Sequence, residues 1–125
     1  MRVPKFRTWL KFGHYMSPVL TLDFTEDCLT IIRKDTGHWE EYTFGDVTEL
    51  MEFSGLKDKN GKEIYEEDIV KFSVNDGFNY CIDEIGTVVY NNGAFYVGDF
   101  LLSDIDTTDI EVLGNIWEDS ELLNH

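Results

Sequence analysis

No lysine or arginine follows Lys71 in this chain of 125 residues. A segment so devoid of bases is a poor ligand for DNA, RNA or an anionic membrane, because phosphate contacts dominate such affinities. Cysteine is nearly absent too. Cys28 and Cys81 stand alone, with no CxxC and no second pair, so a disulfide framework or a zinc knuckle is not indicated, and both read as buried reduced thiols. Two prolines and ten glycines exclude collagen-like or proline-rich character. No apolar run approaches the ~18 residues that a membrane-spanning helix needs. The opening stretch, Arg2 to Arg7, lacks the apolar core of a secretion signal, so a cytoplasmic location is expected.

What is present is ordinary for a globular domain: 42% hydrophobic and 28% charged residues. The net charge is −15, unevenly spread. Residues 1–34 carry Arg2, Lys5, Arg7, Lys11, Arg33 and Lys34 and a net charge of +3, residues 35–71 a net of −7, and residues 72–125 a net of −11. The acidity serves solubility, or draws a basic partner surface. The basic opening segment can pair with the acidic remainder within one chain or between chains, and the second arrangement makes a homo-oligomer a candidate state.

Strand signals dominate. They are read at Lys5–Leu10, Cys28–Arg33, Trp39–Phe44, Asp46–Phe53, Ile69–Val74 and Ile110–Trp117. Thr87–Tyr90 and Ala94–Val97 flank Asn91-Asn92-Gly93, a hairpin whose Asn-Gly pair supplies positive φ. A helical turn is read over Glu118–Leu123, with Asp119 or Ser120 as cap. Short strands punctuated by Gly, Asn and Asp imply a mainly β protein, a small roll or barrel with little helix. Bases and aromatics before residue 50, and acids after it, mark two subregions of one domain, and the first fifty residues bury too little surface to fold alone.

Catalytic constellations are missing. His14, His38 and His125 are scattered, and no GxSxG, HExxH or phosphate loop occurs. Asp58-Lys59-Asn60-Gly61 with Glu67 imitates a calcium loop, but the first ligand position would fall on Leu56. A β-turn around Asn60-Gly61 is the better reading. No catalytic residue, metal ligand or cofactor is assigned. Two groups of candidate interaction residues remain: an acidic face of Asp99, Asp104, Asp106, Asp109 and Glu111, and an aromatic interface or pocket of Tyr90, Phe95, Tyr96 and Trp117.

Three segments carry a family resemblance. Lys5-Phe6-Arg7-Thr8-Trp9 is similar to an opening K-F-R-A-W. Ser54-Gly55-Leu56-Lys57-Asp58-Lys59-Asn60-Gly61-Lys62-Glu63-Ile64-Tyr65-Glu66-Glu67-Asp68-Ile69-Val70 is similar to T-G-L-K-D-K-N-G-K-E-I-Y-E-G-D-I-V. Val112-Leu113-Gly114-Asn115-Ile116-Trp117-Glu118-Asp119-Ser120-Glu121-Leu122-Leu123 is similar to V-I-G-N-I-Y-E-N-P-E-L-L. Together they resemble the YopX family of phage and prophage proteins from Gram-positive bacteria. The resemblance implies an SH3-like β-roll over residues 51–125, with residues 1–50 as an N-terminal β segment packed on it. It implies no catalytic residue. Glu67 departs from the pattern, which carries glycine there, and Leu10 stands where the family often has Asp. A glycine at that point implies positive φ or a close backbone approach.

Phage origin, small size and acidity lead to one expectation: a non-catalytic accessory protein in the host cytoplasm that binds a basic protein and inhibits a host defence or nucleic-acid-handling system. The alternative is an oligomer that sequesters a small ligand or nucleotide in an aromatic pocket between subunits, with cationic groups drawn from Arg2, Lys5, Arg7, Lys11, Arg33 and Lys34. A metal-dependent hydrolase built on acid clusters is a third.

Overall fold

The computed structural model describes residues 3–45, 48–75 and 81–123 of the protein. Arg2, Asp46, Val47, Tyr80, His125 and the side chain of Cys81 lie outside the described residues. Strands hold 57% of the chain and helix 9%, with no helix of seven or more residues. The protein is mainly β, a small β-roll type of fold with little helix, so its chemistry sits on strands and turns. The chain divides into two compact units, Met1–Glu52 and Phe53–His125.

In the first unit, β1 (Phe6–Leu10) pairs antiparallel with β2 (Tyr15–Pro18) and with the first half of β6 (Thr48–Lys57). A second sheet runs in the order β3 (Thr21–Asp23), β4 (Cys28–Ile32), β5 (Trp39–Thr43). The core draws apolar side chains from several of these strands. Leu10, Leu29 and Ile31 are fully buried, with Phe12, Tyr15, Val19, Leu22, Tyr42, Phe44 and Leu50 packed around them. Arg33 closes one end of this core. It forks onto the Asp35 carboxylate at 2.9 and 2.6 Å and lies 5.4 Å from the centre of the Phe12 ring.

In the second unit, the end of β6 pairs with β7 (Glu63–Tyr65). A five-stranded sheet follows, in the order β11 (Phe100–Leu101), β10 (Ala94–Val97), β9 (Cys81–Asn91), β8 (Asp68–Asn75), β12 (Ile110–Asn115). Alternation puts Val70, Phe72, Val88 and Val97 on its buried face, with Ile64, Leu102, Ile105 and Ile110 completing the core. The β9–β10 turn has φ of 50° at Asn92 and 84° at Gly93, as the Asn-Gly pair requires.

β12 slips register between Val112 and Gly114, a bulge. At Gly114 within it, an added Cβ would overlap the Asp119 carboxylate, so glycine suits the position. That carboxylate accepts the Asn115 N–H at 3.2 Å. Asp119 therefore turns back to the bulge, and Ser120–Leu123 forms only a short 3-10 turn. The strand read at Asp46–Phe53 runs on to Lys57 as β6, and β2, β3, β7 and β11 are strands beyond those read from sequence.

Candidate functional site

The acidic residues of the second unit are placed by short-range chemistry. After β11 the chain makes two 3-10 turns, Leu102–Asp104 and Thr107–Asp109. Leu102 and Ile105 anchor the first in the core, which leaves Asp104 exposed. Asp106 caps the second: its Oδ1 accepts the Thr108 N–H at 3.0 Å and the Thr108 hydroxyl at 2.8 Å. Those two donors hold the Asp106 carboxyl below its ordinary pKa. The result is a pocket of about 580 Å³. Asp99, Asp104, Asp106 and Asp109 rim it, Tyr96 and Phe100 supply aromatic walls, and Ser73, Val74, Leu101 and Ile105 complete the lining. No lysine or arginine is among those lining residues.

Four of the five acidic candidates thus meet. Glu111 does not line this pocket: it faces Lys59, with 3.1 Å between Oε2 and Nζ, and borders a neighbouring pocket with Asp109, Lys59 and Lys71. The aromatic candidates do not form one site. Tyr96 lines the acidic pocket, whereas Tyr90 and Phe95 form a cross-strand, edge-to-face pair 5.1 Å apart. Phe95 also packs on the core, and Trp117 lies half-buried after β12. Ser73, Phe100 and Ile105 were not readable as site residues, because their convergence depends on the pairing of β8, β9, β10 and β11.

The arrangement suits a cationic group. Clustered carboxylates give the pocket a negative field, and ring faces attract cations. Among the described residues, no three His, Cys, Asp or Glu side chains are grouped so that they could hold a metal ion. No helix of the described residues is long and apolar enough to cross a membrane. The base set that a phosphate ligand would need is also committed elsewhere in part, since Arg33 grips Asp35 and Lys11 lies 3.0 Å from Glu49.

The turn that imitates a calcium loop is a caged carboxylate. Asp58, only 6% exposed, accepts the N–H groups of Asn60 at 2.8 Å, Lys62 at 2.9 Å and Val112 at 2.9 Å. Burial pushes its pKa up, but these N–H groups and the nearby Lys62 charge outweigh burial and hold it below the ordinary value. Its oxygens are spent on the backbone, so the side chain staples the β6–β7 turn to β12.

A family model described as YopX protein matches residues 5–124. The chain belongs to the YopX family. It is also similar to a solved structure, the crystal structure of protein EF1440 from Enterococcus faecalis, with 26% identity over 98% of this chain and 99% of that chain and a TM-score of 0.66. No curated protein matches the chain.

Within this YopX protein the long shared segment is architectural. It holds Asp58 and also Asp68, buried, whose Oδ2 accepts the Tyr65 N–H at 2.8 Å. Glu67 adopts φ of +70°, the conformation that the family glycine implies. Its N–H donates to Val88 O at 2.8 Å and its carbonyl accepts the Ile116 N–H at 3.0 Å. The two bonds fix the backbone there whatever the side chain, so the strain of a left-handed glutamate is retained.

Proposed function

We propose that this YopX protein is a non-catalytic phage or prophage accessory protein that works by binding, in the host cytoplasm, a basic surface of a host protein concerned with defence or nucleic-acid handling. The observation that carries the reading is the Asp99, Asp104, Asp106 and Asp109 pocket, with its Tyr96 and Phe100 walls and no base in its lining. A lysine or arginine side chain offers such a pocket a charge for the carboxylates and an aliphatic stem for the rings. A basic groove evolved for nucleic acid is the surface most complementary to it. The excess of 11 acids over no bases in residues 72–125 adds long-range steering toward such a partner.

The test is capture of host proteins on the tagged protein, followed by a binding assay with the purified partner. The triple variant Asp99→Asn, Asp104→Asn, Asp109→Asn spares the Asp106 cap. It is expected to weaken binding about tenfold or more, chiefly through slower association. Raising salt to ~0.5 M should weaken the wild type more than the variant. Equal affinity of the two proteins at both salt concentrations would reject the reading.

A further inference from the structure

We propose that the outer edge of β5 is a docking strand for an extended, lysine- or arginine-bearing segment of a partner protein. The first observation is the direction of the backbone groups. β4 and β5 pair with Ile32 opposite Trp39 and Cys28 opposite Thr43. Just beyond the ends of that ladder, Arg33 N donates to His38 O at 3.0 Å and Phe44 N donates to Asp27 O at 2.8 Å. Both bonds fall in the same register, so the even-numbered residues of β5 bond toward β4. In an antiparallel ladder the alternate residues, Trp39, Glu41 and Thr43, then present N–H and C=O to the other side. Among the described residues β5 ends its sheet, so that side is an open edge. The Thr48 hydroxyl reaches the Thr43 carbonyl at 3.5 Å, which leaves the Trp39 and Glu41 groups to take a partner.

The second observation is what surrounds the edge. The side chains of Trp39, Glu41 and Thr43 share one exposed face. Trp39 is 70% exposed, and Ile32 opposite it is 44% exposed, an apolar pair left in water. Carboxylates lie beside it. Burial pushes the Cys28 thiol pKa up, and Glu41, Asp23 and Glu26 push it further, which places all three near this face. Arg33, just past the end of β4, is engaged with Asp35.

Charge selects the occupant. A second copy of this chain, paired antiparallel about the middle of β5, would set Glu41 against Glu41, which is unfavourable across strands. A strand with Lys or Arg opposite Glu41 and an apolar residue beside Trp39 satisfies the open amides, the charge and the ring together. This surface belongs to the first unit, so it stands or falls separately from the acidic pocket of the second.

The experiment is selection of random dodecapeptides by yeast display against the full chain, followed by amide-shift mapping with the selected peptides. The expected result is enrichment of alternating basic residues, with shifts centred on Trp39–Thr43. Glu41→Pro removes one outward N–H without removing a β4–β5 bond, and should weaken those peptides about tenfold or more. Glu41→Lys keeps the amide, guards against misfolding of the proline variant, and should turn the selection toward acidic peptides. No enrichment, equal binding by both variants, or shifts confined to the acidic pocket would overturn the proposal. So would a dimer in sedimentation that Glu41→Pro dissolves, because the edge would then serve self-pairing.

Discussion

The two units solve the same burial problem with unequal means. The second unit closes a core of eight buried apolar side chains around Phe72 and locks a turn to its edge strand with Asp58. Among the described residues, the buried cluster of the first unit is Leu10, Leu29 and Ile31, finished with half-buried rings, and Met51 is fully buried in the same unit. Phe24 and Trp39 remain 73% and 70% exposed there, more than the 51% of Tyr90, the most exposed large apolar side chain among the described residues of the second unit. A three-stranded sheet covers one face and leaves the other wet, whereas a five-stranded sheet has neighbours enough for both its rim and its core. The first unit also spends its bases locally, on Asp35 and Glu49. The second has acids with few bases to meet, and they gather around a pocket. The lesson is that the two halves of one small chain leave different things exposed: rings in the first, carboxylates in the second.

The largest effects should expose the inequality of the cores. Phe72→Ala should cost about 3–5 kcal/mol and Leu29→Ala about 2–4 kcal/mol in denaturant unfolding. A larger loss from Leu29→Ala would break the comparison, since it would make the smaller core the tighter one.

Asp58→Ala comes next. It strips the N–H groups of Asn60, Lys62 and Val112 of their acceptor and should cost about 3 kcal/mol. The same residue sets an acid limb. Its folded pKa lies below its unfolded one, so its contribution is present above the unfolded value of about 3.9 and fades as pH falls through the folded value. Urea midpoints measured from pH 6 down to pH 2 should decline in the wild type and decline less in Asp58→Ala. Parallel declines would show that the cage does not govern the second unit.

The smallest effect has the opposite sign. Glu67→Gly relieves a left-handed non-glycine residue and should stabilise the protein by about 0.5–1 kcal/mol, seen as a higher urea midpoint at unchanged slope. Destabilisation would mean that the glutamate side chain contributes more than its backbone costs.

Legibility followed range. The Asn92-Gly93 hairpin and the Asn60-Gly61 turn were readable because each turn's conformational demand falls on adjacent residues. The family glycine position announced the positive φ that Glu67 adopts. β2, β3, β7 and β11 were not readable. Each has two to four residues, too few for alternation to rise above chance, and Pro18 ends β2. Asp104 and Asp109 were nameable as acids, but Ser73 and Phe100 could not be joined to them from spacing.

The sequence by itself determined the β class, the turns, the charge asymmetry and the family, because these rest on local conformational preference, composition and motif order. Only the tertiary structure decided that Asp58 would be a caged staple, that Glu111 would face Lys59, and that four aspartates would share a pocket. Strand register made those choices: a pairing displaced by one residue would turn each side chain to the opposite face.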